Sequence, residues 1–159
     1  MILTSSHNNW KCDKFPTYSI SGNRGKDAGY VGKCYPKLAP KIGFWKEWHD
    51  NIGKISEEDN NRFYIREFYN QVLSKLNAYE VFEDLNDSIL LCYEDSQDFC
   101  HRHIVSAWLE LETGFKVFEA VANDLDIDYV LRSDDIKKYL KEYMSEINEE
   151  KVKKLVRKW

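Results

Sequence analysis

No apolar run in this 159-residue sequence exceeds five residues, the longest being Ile89-Leu90-Leu91-Cys92-Tyr93. A membrane helix needs about 20, so none is expected. The amino terminus lacks the basic start and apolar stretch of a secretory signal, and the four cysteines (Cys12, Cys34, Cys92, Cys100) are expected as reduced thiols in the cytoplasm. No Cys-x2-Cys pair is present, and seven residues separate Cys92 from Cys100. Zinc spacing is therefore missing, and neither a metal site nor a cofactor is expected. Neither of those two cysteines has an arginine at the distance a tyrosine-phosphatase loop requires, and both common nucleotide-binding fingerprints are absent. There is no internal repeat and no low-complexity tract.

What is present suits a compact fold. The length fits one domain, and 43% apolar and 14% aromatic residues suffice for a core. Charge is unevenly placed. Residues 1–46 carry eight basic side chains (Lys11, Lys14, Arg24, Lys26, Lys33, Lys37, Lys41, Lys46) against Asp13 and Asp27, although the whole chain is net −4. A basic segment on an acidic body points to an anionic ligand at one place on the surface, with duplex nucleic acid less favoured.

Met1–Ser5 and Thr17–Ser21 read as strands. Gly22, Gly25, Gly29 and Gly32, followed by Pro36 and Pro40, predict an irregular segment able to approach a ligand closely. Phe44, Trp45, Trp48 and Ile52 predict one amphipathic helix, and Ile65, Phe68, Tyr69, Val72, Leu73 and Leu76 a second over about residues 61–76. A short helix around Val81, Phe82 and Leu85 follows. The run Ile89–Tyr93 is too short for a helix and continuous enough for a central parallel strand buried on both faces. Asp98 is the expected N-cap of the next helix, whose stripe is Ile104, Val105, Trp108 and Leu111 before Gly114. Lys116–Val121 predicts another strand. Ser133 caps a helix striped by Ile136, Tyr139, Leu140, Tyr143 and Ile147. After an interruption at Asn148, Val152, Leu155, Val156 and Trp159 predict a separate basic helix.

In open parallel sheets ligands sit beyond the carboxyl ends of strands, where the next helix presents free N–H groups. Cys100-His101-Arg102 falls at such a place. The helix field and the neighbouring His101 and Arg102 are expected to lower the Cys100 pKa and make it a nucleophile. Cys92 and Glu94 share one face near the strand's carboxyl end, where Glu94 suits a general base or a nucleophile toward a sugar carbon. Ser21, Gly22 and Arg24 follow an earlier strand and would supply the other half of an anion site, with Lys37 as a second charge.

The pattern Leu90-Leu91-Cys92-x-Glu94 followed by Cys100-His101-Arg102 resembles the signature of a bacterial family, domain of unknown function 488. The Ser19–Pro40 segment resembles its short-chain branch, although many relatives end a strand with Asp-Val-Arg where this chain has Ser19-Ile20-Ser21-Gly22-Asn23-Arg24. The resemblance covers about residues 1–122. It implies a three-layer Rossmann-like α/β fold, a mostly parallel sheet with helices on both faces, and a site at Cys92, Glu94, Cys100, His101 and Arg102. It implies no established activity. Residues 1–125 are expected to form the α/β domain and 126–159 a helical extension packed on it. The leading expectation is an enzyme acting on a nucleotide-like or other phosphate-bearing molecule. Glu94, Cys100 and His101 would be catalytic, and Ser21, Gly22, Arg24, Lys37, Cys92 and Arg102 would bind the ligand. A non-catalytic nucleotide-binding module is the alternative. A nucleic-acid accessory role is less favoured, and no membrane partner is expected.

Overall fold

The computed structural model describes residues 1–132 and 135–158. Six strands form one sheet: β1 (Ile2–Ser6), β2 (Thr17–Ser19), β3 (Lys33–Cys34), β4 (Ser88–Cys92), β5 (Val117–Ala122) and β6 (Ile127–Val130). Their order is β3-β2-β4-β1-β5-β6. All neighbours are parallel except β5 and β6. The helices are α1 (Ile42–Asn51), α2 (Glu57–Gln71), α3 (Ala78–Asp84), α4 (His101–Thr113) and α5 (Asp135–Val156). The fold is therefore α/β with a carboxyl-terminal helix. No helix among the described residues is long and apolar enough to cross a membrane.

The central strands behave as their composition dictates. β4 is buried throughout and lies between β2 and β1, pairing Leu3 with Ile89 and Ser6 with Cys92. Strand alternation sends Leu90 to one face, with Ile2 and Val117, under Phe68, Ile104 and Trp108 of the helices. Ile89 and Leu91 point the other way, with Leu3, Ala120 and Ala122. This second face differs from the expectation of helices on both sides: its cover comes from Trp10, Cys12 and Tyr30 of the long connections. The helices instead share the first face, where α4 packs against α3 and α5, and α2 against α1 and α5.

Helix ends follow local chemistry. The Ser56 hydroxyl accepts the Asp59 N–H at 3.1 Å, and the Asn77 side chain accepts those of Tyr79 and Glu80. Gly114, at φ 76°, closes α4. The residue before α4 is Cys100, not Asp98, whose own N–H is engaged by the Asp95 carbonyl in the preceding turn. The glycine-rich segment is largely irregular, with short 3-10 turns at Lys26–Ala28 and Pro36–Leu38, but Lys33–Cys34 adds an edge strand.

Two expectations for the carboxyl end are corrected. The extension opens with β6, which returns antiparallel to β5 after a turn in which the Asn123 side chain accepts the N–H groups of Leu125 and Asp126. The two predicted helices are one 22-residue helix. Asn148 does not break it, because asparagine costs a helix well under 1 kcal/mol and neither Gly nor Pro is nearby. Ser133, Asp134 and Trp159 lie outside the described residues. Ile136 and Leu140 are buried, and Arg62 of α2 stacks on Tyr139 at 3.9 Å while reaching Glu142. Val152, Leu155 and Val156 are exposed.

Candidate functional site

The carboxyl ends of β2 and β4 open onto a cavity of about 400 Å³ beneath α1 and α2. The glycine-rich turn and the start of α4 meet there. Ser21, Gly22, Asn23 and Asp27 line one side, and Cys92, Tyr93, Glu94, Cys100 and His101 line the floor and the other side. The expected meeting of these two distant segments is thus present. The imidazole of His101 joins them, with Nε2 2.7 Å from the carbonyl oxygen of Ile20. A carbonyl can only accept, so Nε2 carries a proton, and in the neutral tautomer this contact selects the lone pair is on Nδ1. Nδ1 faces Cys92 Sγ at 3.5 Å, and the same sulfur lies 3.6 Å from Glu94 Oε2.

A polar belt fixes the turn over this floor. The Tyr93 hydroxyl donates to Asn23 Oδ1 and accepts the Asp27 N–H, while Asn23 Nδ2 donates to Asp27. Gly25 is required here. At φ 81°, an added Cβ would come within 2.8 Å of both the His7 ring and Tyr30. The roof is aromatic: Trp48, Tyr64 and Phe99 form a mutually packed triangle with ring centroids 5.3–5.6 Å apart. Trp45, 38% exposed, stands at the mouth beside Pro40 and Ile42.

Sequence reasoning treated Trp45 and Trp48 as stripe residues and gave Tyr64, Phe99, Tyr93 and Asp27 no role in the site. Trp45 and Ile52 were assigned to the buried face of α1, yet both are exposed, leaving Phe44 as that helix's buried anchor. An available signal was the width of the aromatic face of α1, greater than one buried stripe requires.

Three of the expected anion-binding groups do not line the cavity. Arg24 and Lys37 are exposed, with Lys37 Nζ 5.9 Å from the Tyr35 ring centre. Arg102 is wholly buried and committed to Glu119, through Nη2 at 2.7 Å and Nε at 3.1 Å to Oε1. Thr4 and Ser96 also donate to that carboxylate. Burial alone would raise the Glu119 pKa, but the guanidinium's hydrogen bonds and charge outweigh it and hold the carboxyl below its ordinary value. Arg102 is thus a buried structural charge. No Lys or Arg lines the cavity among the described residues, whereas Asp27 and Glu94 do.

The expectation for Cys100 is also reversed. Its side chain is buried, and burial pushes its thiol pKa well up, reinforced by its hydrogen bond with Cys92. Arg102, whose Nη1 lies 3.3 Å from Sγ, and His101 act in the opposite sense without prevailing. The free protein therefore holds Cys100 as a thiol. His103, one turn into the interior, is pushed down to about 4 by burial and then by the Arg102 charge, and is neutral at pH 7.

No curated protein and no solved structure matches the chain. A family model described as the active DUF488-N3 subclade matches residues 13–113, from the loop after β1 to the last residue of α4. That span covers well over half the chain and contains the cavity-lining residues together with Arg24, Lys37 and Arg102. This chain is a member of the DUF488 family.

Proposed function

We propose that the protein is an enzyme acting on a planar, uncharged or cationic heterocycle of nucleobase or nucleoside type. The observation that carries this reading is the cavity's composition. Aromatic faces (Trp45, Trp48, Tyr64, Phe99) suit stacking of a flat ring, and the polar side chains Asp27, Glu94, Asn23 and Ser21 suit its ring and exocyclic N–H groups. Phosphate is left out of the reading because the lining lacks a basic side chain among the described residues. Glu94 is the proton-transfer group: it stands at the edge of the floor, 3.6 Å from Cys92 Sγ, where a ring held by the aromatic roof would present its edge. The description of the matched subclade as active accords with catalysis. A binding module without turnover is favoured by one observation, the burial of Cys100, which pushes its thiol pKa up and away from nucleophilic use.

The test pairs titration calorimetry with mass spectrometry over free bases, nucleosides and their monophosphates. Nucleosides or bases should bind at least as tightly as their monophosphates. Trp45→Ala should weaken binding about tenfold, equivalent to ~1.4 kcal/mol of stacking. Glu94→Gln should abolish conversion while leaving binding measurable, since the amide keeps one acceptor oxygen. Tighter binding of monophosphates would refute the ligand class, and intact recovery of every bound compound after long incubation would leave a binding module.

A further inference from the structure

We infer that Cys92, Cys100 and His101 form a binding site for a divalent transition metal, zinc(II) by preference, at the floor of the cavity. The two sulfur atoms and a ring nitrogen of His101 all lie within 4.8 Å of one another. Zinc bonds of about 2.3 Å to sulfur and about 2.0 Å to nitrogen, at a tetrahedral angle, place those two atoms roughly 3.5 Å apart. Cys92 Sγ and His101 Nδ1 are 3.5 Å apart.

The surroundings are those of ligands rather than of three unrelated core groups. Metal-bound imidazoles ordinarily donate their other N–H to a carbonyl or carboxylate, which fixes the ring and aims its lone pair at the ion. His101 does this through Nε2 to Ile20, leaving Nδ1 directed at Cys92. Arg102 Nη1 reaches Cys100 Sγ at 3.3 Å, an N–H donor suited to a bound thiolate. Arg102 is itself held in place by Glu119, so this donor cannot swing away. Two thiolates, one neutral imidazole and a doubly charged cation sum to zero charge, which makes the assembly compatible with burial in a way that two bare thiolates would not be.

The ligand set is also open. Three protein donors leave a fourth tetrahedral position, and because all three line the cavity, that position is available to water or substrate. Glu94, 3.6 Å from Cys92 Sγ, stands beside it as the acceptor for a proton from a bound water. The metal site does not rest on the heterocycle reading, and its binding is measured with no substrate present.

The experiment uses the full chain, reduced, stripped with chelator, dialysed against zinc chloride and analysed by mass spectrometry for metal. About one zinc per chain is expected, in line with a single three-ligand site. Cys92→Ser, Cys100→Ser and His101→Asn should each weaken retention more than about tenfold, while Cys12→Ser and Cys34→Ser should leave it unchanged. Because a ligand variant can fail to fold, cobalt(II) is titrated into the unaltered protein as a second measurement, with thiolate-to-cobalt charge-transfer absorption in the near ultraviolet expected. Failure of the unaltered protein to retain zinc, retention undiminished in a folded Cys100→Ser variant, or cobalt uptake without the charge-transfer band would each overturn the site.

Discussion

Replacing His103 by leucine should flatten the acid side of the protein's stability profile. His103 is 1% exposed, and neither ring nitrogen has a hydrogen-bond partner among the described residues. The charges facing it are those of Arg102, Glu119 and Arg132, with His101 adjacent, and their balance together with burial holds its pKa at about 4. The ordinary value is about 6.5. Between these values the unfolded chain binds more protons than the folded one, so the contribution is fully present above about pH 6.5 and is lost as pH falls toward 4. Linkage over that window amounts to roughly 3 kcal/mol in all, of which about 2 kcal/mol has gone by pH 5. The leucine variant keeps much of the volume and removes two buried polar atoms without partners, so at pH 7 it should equal or exceed the parent in stability. Urea denaturation followed by tryptophan fluorescence, in reductant and chelator at pH 7 and pH 5, measures both quantities. Every other titrating group is common to the two proteins. If parent and variant lose the same stability between those pH values, His103 is not held neutral and the description of its surroundings is wrong.

Arg102→Met should cost about 3–5 kcal/mol, because it strands the Glu119 carboxylate in a site where its side chain has no exposed surface. The double change Arg102→Met with Glu119→Leu should recover most of that loss, and a single-variant cost under about 1 kcal/mol in urea would contradict the pairing. Truncation after Glu149 should shift stability by less than about 1 kcal/mol, since Val152, Leu155 and Val156 are exposed, whereas Leu140→Ala should cost about 2–5 kcal/mol. A comparable loss from both changes would mean that the distal turns of α5 are packed.

The elements easiest to read were those with one physical cause. Ile89–Tyr93 could only be a strand buried on both faces, and it occupies the middle of the sheet. The α2 stripe likewise runs through Ile65 and Phe68. Misreadings arose where two causes compete. Trp45 satisfies a helical periodicity and also lines the cavity, and periodicity alone cannot separate the two. Asn148 carries an unfavourable but small helix propensity, which the favourable residues on either side outweigh. β6 had a local signal in Asn123-Asp124 ahead of an alternating Ile127-Asp128-Tyr129-Val130, a hairpin pattern obscured by treating everything after residue 125 as helical. Glu119 was legible too: an acid inside Val117–Ala122 needs a buried cation, and Arg102 on a helix covering that sheet was a nearby candidate.

The two expected segments meet at one cavity and its lining differs from the expected one, for reasons that share an origin. Spacing rules such as Cys-x2-Cys describe ligands carried by one tight loop. In a strand–loop–helix unit the end of the strand and the start of the helix are neighbours whatever the loop's length, so the seven residues between Cys92 and Cys100 measure that loop and not the distance between sulfur atoms. Segment charge fails in the same way. Eight basic residues in the first 46 make a basic segment, yet side-chain direction decides what a ligand meets: Arg24 follows a left-handed backbone, at φ 61°, and is exposed, while Asp27, three residues on, lines the cavity. A cavity whose charged side chains are carboxyl groups, floored by two sulfurs and an imidazole, favours ligands that donate hydrogen bonds or coordinate softly over ligands that bring negative charge. It follows that binding of an uncharged heterocycle should depend weakly on ionic strength, because screening acts chiefly on charge pairs, whereas a cationic one facing Asp27 and Glu94 should bind less tightly as salt rises.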